Sequence, residues 1–225
     1  MIQRGVLVFD MDGVLVNVSE SYREAIVQTV KHFTGKEVPR ALIQEYKNAG
    51  GYNNDWKLSH KITEDLGVCV AYDEVVDYFN RIFLDSGESS LIYRERWIAE
   101  AGLFERLARR YDFAILTGRL RAEANITLNR YAAGIRFHPV VCHDDVQRSK
   151  PDPEGLFQVA VHYPGRKLWY VGDTVDDARC AKAAGVPFIG IAPLDAPDPP
   201  KLAALLKAEG AVAVLSDINQ LESVL

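Results

Sequence analysis

The chain has 225 residues, 48% hydrophobic and 25% charged, a balance that excludes a disordered polymer and suits one sizeable domain or a core domain carrying an insertion. Its 26 basic and 31 acidic side chains give a net charge of −5 without any basic run or aromatic-basic stripe. The electrostatic footprint of a nucleic-acid binder is therefore missing, and a small molecule is the expected partner. Cys69, Cys142 and Cys180 are odd in number and share no metal-type spacing, which points to reduced thiols in a cytoplasmic protein. The histidines are scattered, with no His-x-x-x-His pair to suggest zinc. No apolar run approaches the roughly 20 residues needed to span a bilayer. Met1-Ile2-Gln3-Arg4 leads straight into the first expected strand, so no signal peptide is expected. A soluble monomer or homodimer is expected.

The first element is Val6-Leu7-Val8-Phe9, an apolar run without polar alternation that suits a strand covered on both faces. It ends in Asp10-Met11-Asp12-Gly13, where ligands of open α/β sheets bind. The pattern then changes period and predicts helices over Ser19–Phe33, Pro39–Lys47, Asp55–Leu66 and Tyr72–Phe83, separated by glycines and Pro39. A normal crossover has one helix, so these four predict a helical bundle inserted after the first strand and lying over the carboxyl edge of the sheet.

From Trp97 strands and helices alternate. Helices are expected at Trp97–Tyr111, Arg121–Tyr131, Pro153–Tyr163, Asp176–Ala184, Lys201–Ala208 and Asp217–Val224. Strands are expected at Phe113–Leu116, Pro139–Cys142, Lys167–Val171, Phe188–Ile191 and, as a short apolar run, Ala211–Leu215. Such alternation predicts an α/β fold with a doubly wound parallel sheet. The domain boundaries read as 1–16 and 92–225 for the α/β core and 17–91 for the helical insertion.

Three further strand ends carry polar residues: Thr117-Gly118-Arg119, then Lys150-Pro151 in the loop beyond Cys142, and Gly172-Asp173-Thr174-Val175-Asp176-Asp177. Each piece alone also reads as a turn or a helix cap. Together they bring Asp10, Asp12, Asp173 and Asp177 to one sheet edge, where several carboxylates cannot all stay ionised without compensation. A divalent cation and Lys150 supply it, and hard oxygen ligands favour Mg²⁺.

These four motifs, in this order, resemble those of the haloacid dehalogenase-like hydrolase superfamily, across essentially the whole chain. The insertion between Asp10 and Thr117 resembles the helical cap of the subgroup that includes phosphoglycolate phosphatase and β-phosphoglucomutase. The resemblance implies a Rossmann-like core and a phosphatase acting on a small phosphomonoester. In that reading Asp10 is the nucleophile, forming an aspartyl phosphate, and Asp12 protonates the leaving oxygen and then activates water. Thr117 and the Gly118 amide hold phosphoryl oxygens, with Lys150 neutralising charge between Asp10 and the phosphate. Asp10, the Asp12 backbone carbonyl and Asp173 would ligate Mg²⁺, while Asp177 would hold it through water or orient Lys150. Only one of the adjacent acids matches the pattern, and which of Asp176 and Asp177 stands closer to the metal is left open by the sequence.

Asp12 disfavours dehalogenation, because that reaction has no alkoxide to protonate. A phosphomutase of the β-phosphoglucomutase kind shares Asp10 and Asp12 and stays open as the alternative, whereas a non-catalytic binding protein does not explain the complete motif set. In related capped enzymes the loop corresponding to Gly51-Tyr52-Asn53-Asn54 reaches the leaving-group side of the site. Those four residues are therefore expected to set substrate specificity, against the plain alternative of a turn that caps the next helix.

Overall fold

The computed structural model describes residues 4–225. Met1–Gln3, on which the reading of an absent leader rests, lie outside the described residues. The chain divides into two compact units, one holding the chain up to Val16 together with Trp97–Leu225, the other Asn17–Arg96. The short stretch 92–96, assigned above to the core, clusters with the inserted unit.

The elements follow in chain order. Strand β1 (Gly5–Phe9) is followed by the two-residue β2 (Val16–Asn17), and then by α1 (Tyr22–Thr34), α2 (Arg40–Ala49), α3 (Asp55–Asp65) and α4 (Tyr72–Phe83). Two 3₁₀ turns and β3 (Arg96–Trp97) lead back to the core unit, which continues with α5 (Leu103–Leu107), β4 (Tyr111–Leu116), α6 (Arg121–Tyr131) and β5 (Phe137–Val141). Then come α7 (Glu154–Val161), β6 (Leu168–Gly172), α8 (Val175–Ala184), β7 (Phe188–Ile191), α9 (Pro199–Ala208), β8 (Ala213–Leu215) and a 3₁₀ turn over Ile218–Ser223.

Six strands form a parallel sheet in the order β5-β4-β1-β6-β7-β8. The expected doubly wound architecture is thus present, with β1 at its centre. Val6 to Phe9 are completely buried because β1 is paired on both edges and covered on both faces. The direction of winding reverses at β1, and open sheets of this kind place ligands beyond the strand ends at that reversal.

Alternation along β1 decides what each face holds. Val6 and Val8 pack with Ala114, Leu116, Leu168 and Tyr170 in one layer. Phe9 belongs to the other, meeting the rings of Phe104, Phe113 and Phe137 edge-on at 5.7–6.2 Å. The next residue, Asp10, therefore returns to the side of Val8 and Tyr170.

Two expected elements differ. The helix over Trp97–Tyr111 is a strand at Arg96–Trp97, a short helix at Leu103–Leu107 and the start of β4 at Tyr111. Gly102 interrupts the run, at a helix cost of about 1 kcal/mol, and Trp97 is held instead by stacking on Tyr131 at 6.0 Å. The final helix is a 3₁₀ turn, opened by Asp217 Oδ1 accepting from the Asn219 amide at 2.7 Å. Six residues are too few to propagate an α-helix far.

The inserted unit is helical, as expected. Tyr22 of α1 and Phe83 of α4 pack ring to ring at 4.1 Å, and Phe79 joins them. Buried Val75, Phe79 and Phe83 recur at helical spacing along α4. Trp56 fastens α3 to α4 by donating its indole N–H to Asn80 Oδ1 at 3.0 Å.

Candidate active site

The site is built at the end of β1. The Asp10 amide donates to Val171 C=O of β6 at 2.8 Å, which carries the sheet ladder one residue beyond the strand. The chain then turns sharply, with the Leu15 and Val16 amides both donating to Met11 C=O. Gly13 has φ of +72°, where only glycine is unstrained. A Cβ on Gly13 would also fall 2.1 Å from Asp173 Oδ2, so the turn and the approach of Asp173 require the same glycine.

Asp173 and Asp177 come from the end of β6 and the start of α8. Thr174 caps α8 by accepting from the Asp177 amide at 3.1 Å, and Asp177 Oδ2 accepts from the Thr174 amide at 3.0 Å and its hydroxyl at 2.6 Å. Gly172 leaves the room for this, since a Cβ there would lie 2.6 Å from that of Asp177. Asp177 Oδ1 in turn accepts from Lys150 Nζ at 2.6 Å and Tyr170 Oη at 2.7 Å. With donors on both of its oxygens, Asp177 holds Lys150 in place.

Lys150 is the cation of the cluster. Its Nζ lies 3.0 Å from Asp10 Oδ1 and donates to Tyr170 Oη at 3.2 Å. Burial alone would discharge it, but Asp10 and Asp177 overrule that and hold its pKa above the usual lysine range. Burial also pushes Asp177 up, and Lys150 together with the Thr174 and Tyr170 hydroxyls reverses the sign, leaving the carboxyl below its usual range.

Asp10 is different. Burial pushes it well above the usual carboxylate range, Asp177, Asp12 and Asp173 push the same way, and Lys150 offsets only part of this. The cluster therefore carries more negative charge than its own cation neutralises. Oxygens of Asp10, Asp173 and Asp177 lie within 4.8 Å of one another, and Asp177 rather than Asp176 joins them. Asp10 Oδ1 is buried and, despite the nearby Lys150, has no aligned hydrogen-bond donor. Surplus charge, hard oxygen donors and a buried oxygen open to a further partner fit a small dication such as Mg²⁺. Because Asp177 is already taken up by donors, Asp10 and Asp173 are the carboxylates suited to direct ligation.

Thr117 follows β4 and is buried, its amide held by Val141 C=O at 2.9 Å. Gly118 follows it at the same strand end. The sequence reading missed two partners. Tyr170, taken for a core residue of β6, places its hydroxyl between Lys150 and Asp177. Its signal was available: a buried tyrosine needs a partner for its hydroxyl, and β6 ends in acids. Arg119, taken only as part of a turn, is completely buried and reaches Asp12 Oδ1 with Nε at 2.8 Å and Nη2 at 2.5 Å. Its partner lies 107 residues away in sequence, so no local pattern reveals the pair.

Gly51, Tyr52, Asn53 and Asn54 belong to the inserted unit. Asn54 caps α3, its Oδ1 accepting from the Lys57 amide at 2.9 Å, and Tyr52 packs edge-on against Tyr46 at 5.4 Å.

A buried acid at the end of a central strand, a lysine beside it and an acidic pair after β6 are thus gathered at one edge of a doubly wound fold. The sequence pattern of the haloacid dehalogenase-like hydrolases matches residues 7–191, and the chain belongs to that family. It is 32% identical over 195 residues to a protein of Phytophthora nicotianae named imidazoleglycerol-phosphate dehydratase, a match covering 82% of this chain and 42% of that one. The chain thus spans less than half of that relative. It is 25% identical over 194 residues to the phosphoglycolate phosphatase of Pseudomonas fluorescens, covering 83% of this chain and 68% of the relative. A haloacid dehalogenase-like protein of Agrobacterium tumefaciens shares the fold with a TM-score of 0.75 at 20% identity, covering 99% of this chain and 97% of that one. No helix among the described residues is long and apolar enough to cross a membrane.

Proposed function

We propose that this protein is a Mg²⁺-dependent phosphatase that hydrolyses a small phosphomonoester through an aspartyl phosphate on Asp10. The observation that carries the reading is Asp10 itself: a buried carboxylate held to the sheet by its own amide, 3.0 Å from Lys150 and crowded by further acids. Asp10 attacks phosphorus in line, and the bond to the leaving oxygen breaks. Asp12 gives that oxygen a proton, and then takes one from the water that displaces phosphate from Asp10. Thr117 and the Gly118 amide hold phosphoryl oxygens, and Lys150, kept charged by Asp177, neutralises the approach of one anion to another. Asp10, Asp173 and the Asp12 carbonyl would hold the cation, which would supply charge neutralisation and Lewis-acid polarisation of the phosphoryl group. Asp12 also sets this activity apart from the dehalogenation in the family's name, which has no alkoxide to protonate.

The relatives are named for phosphorylated small molecules, which supports a metabolite phosphate as substrate. The test is a Mg²⁺-supplemented phosphate-release screen across glycolate phosphate, sugar phosphates, nucleotides and amino-alcohol phosphates such as histidinol phosphate. Release from a subset is expected. Isomerisation of a sugar phosphate without release would replace the phosphatase by a mutase, and inertness towards every monoester would overturn both.

A further inference from the structure

Arg119 is used by none of these steps, yet among the described residues it is the largest completely buried side chain. A guanidinium withdrawn from water is strongly destabilising unless it is paired and hydrogen-bonded. Its surroundings meet that demand at every point. Its amide donates to Thr117 Oγ1 at 3.3 Å, and its C=O accepts from the His143 amide at 2.8 Å. Nη1 donates to Thr127 Oγ1 of α6 at 2.6 Å. Nε and Nη2 then converge on a single oxygen, Asp12 Oδ1.

That convergence is unlike the usual fork, in which two guanidinium nitrogens take one carboxylate oxygen each. Both of these bonds fall on Oδ1 rather than being shared with Oδ2. The Asp12 side chain is 31% exposed while that of Arg119 is wholly covered, so a fixed, buried cation holds one oxygen of a carboxylate group that still reaches the surface. An aspartate in a turn has several rotamers available, and a rigid guanidinium anchored from behind by Thr127 selects one.

We infer that Arg119 is the positioning residue for Asp12. It grips Oδ1 so that Oδ2 is presented in one orientation, first to the oxygen leaving phosphorus and then to the attacking water. The inference rests on the proposed role of Asp12 in the phosphatase reaction. The proton is carried on Oδ2 while Oδ1 stays on the guanidinium. In the first half, the Asp10–phosphorus bond forms, the bond to the leaving oxygen breaks, and that oxygen takes the Oδ2 proton. In the second, water forms the new bond to phosphorus, the Asp10–phosphorus bond breaks, and the water proton returns to Oδ2.

The experiment compares Arg119→Met and Thr127→Val with the wild type on two substrates: the best alkyl phosphate of the screen and para-nitrophenyl phosphate. The burst of nitrophenolate reports transfer to Asp10 without need of a proton. Arg119→Met is expected to lower kcat for the alkyl phosphate about 10²-fold, the lower end of what acid–base catalysis contributes. KM should stay within about twofold, as befits a group that does not bind the ground state, and the nitrophenolate burst should fall by less than about tenfold. Thr127→Val keeps the charge and removes the hydroxyl that accepts from Nη1. It should show the same split on a smaller scale, and it decides the matter if Arg119→Met fails to fold. In an Asp12→Asn background, Arg119→Met should change the burst no further, because two residues acting through one step are not additive. Equal losses on both substrates, a change confined to KM, or multiplying effects of Asp12→Asn and Arg119→Met would overturn the positioning role. A wild type that cleaves no monoester would overturn the phosphatase reading and this inference with it, whereas an active wild type whose variants show no split overturns only the latter.

Discussion

The two units bury different things. The core unit takes Asp10, Arg119, Glu123, Lys150, Asp173, Asp176 and Asp177 out of water. The inserted unit buries mainly hydroxyls and amides, namely Ser21, Thr29, Gln44, Ser59, Thr63 and Ser90, with Glu95 as its buried acid among the described residues. Two of those hydroxyls, both in α3, answer to local backbone: Ser59 donates to Asp55 C=O at 2.8 Å and Thr63 to Ser59 C=O at 2.9 Å. Charges such as Lys61 and Asp65 pair on the surface, where each pair contributes about 0–1 kcal/mol. The inserted unit thus buries mostly uncharged groups, whereas the core gathers repelling acids at one strand end. A fold breaks its own rules of burial where it performs chemistry.

The sharpest way to break this comparison is Asp10→Asn. Turnover should fall by about 10⁴-fold or more, the scale on which removal of a nucleophile acts. Stability should move the other way. In the metal-free protein the folded pKa of Asp10 lies above its unfolded value, for reasons of burial first and then repulsion by Asp177, Asp12 and Asp173. Protonation of Asp10 therefore favours the fold at low pH, and that advantage is lost as pH rises through the folded value. The amide carries no charge at any pH, so Asp10→Asn should melt higher than wild type near pH 7 in EDTA, and the gap should close as pH falls. Activity within tenfold of wild type would remove Asp10 from the mechanism, and a lower melting temperature in EDTA would remove the strain from the core.

In the inserted unit the largest effect should come from packing. Phe79 is 1% exposed between Tyr22, Trp56 and Phe83. Phe79→Ala should cost about 3–5 kcal/mol, measured by urea unfolding of that variant. A loss under about 1 kcal/mol would show that the unit does not depend on its aromatic cluster.

A ligand test sharpens the core side. Saturating Mg²⁺ should raise the melting temperature, since a ligand at 100 times its dissociation constant stabilises by about 2.7 kcal/mol. Asp173→Asn should abolish that shift while folding normally. Chelation should stop phosphate release, and Ca²⁺, which prefers more ligands at longer distances, should not restore it. An unchanged Mg²⁺ shift in Asp173→Asn would take this residue out of the metal site.

How much of this was legible in sequence follows the same division. β1 could be read because four apolar residues run into acids, and the positions of Thr117, Lys150 and Asp173 could be read because each follows a strand. The four helices of the insertion were legible from period and punctuation, with α4 placed at Tyr72–Phe83. Illegible were relations made only by the folded chain. Arg119 meets Asp12 through the β1–β4 pairing, and Tyr170 reaches Lys150 because Val8 and Tyr170 are in register across β1 and β6. The helix over Trp97–Tyr111 failed for a similar reason, since stacking on Tyr131 outweighed local helical preference.

The smallest expected effect lies at the start of α3, where two adjacent amides invite separate tests. Asn54 Oδ1 accepts from the Lys57 amide and satisfies one of the donors that every helix leaves open at its N-terminus. Asn54→Ala should therefore cost about 0.5–2 kcal/mol of stability, and Asn54→Asp, which keeps the acceptor, much less. Asn53 lies next to this cap, in a half-buried position. If this loop contacts substrate, as the family resemblance implies, Asn53→Ala should lower kcat/KM for the preferred phosphate by about 1–3 kcal/mol while leaving the melting temperature alone. para-Nitrophenyl phosphate offers no matching polar groups and should be spared. Comparable losses on both substrates, or a melting shift in Asn53→Ala without a kinetic one, would make the whole loop a helix cap and leave recognition of the leaving group to other residues.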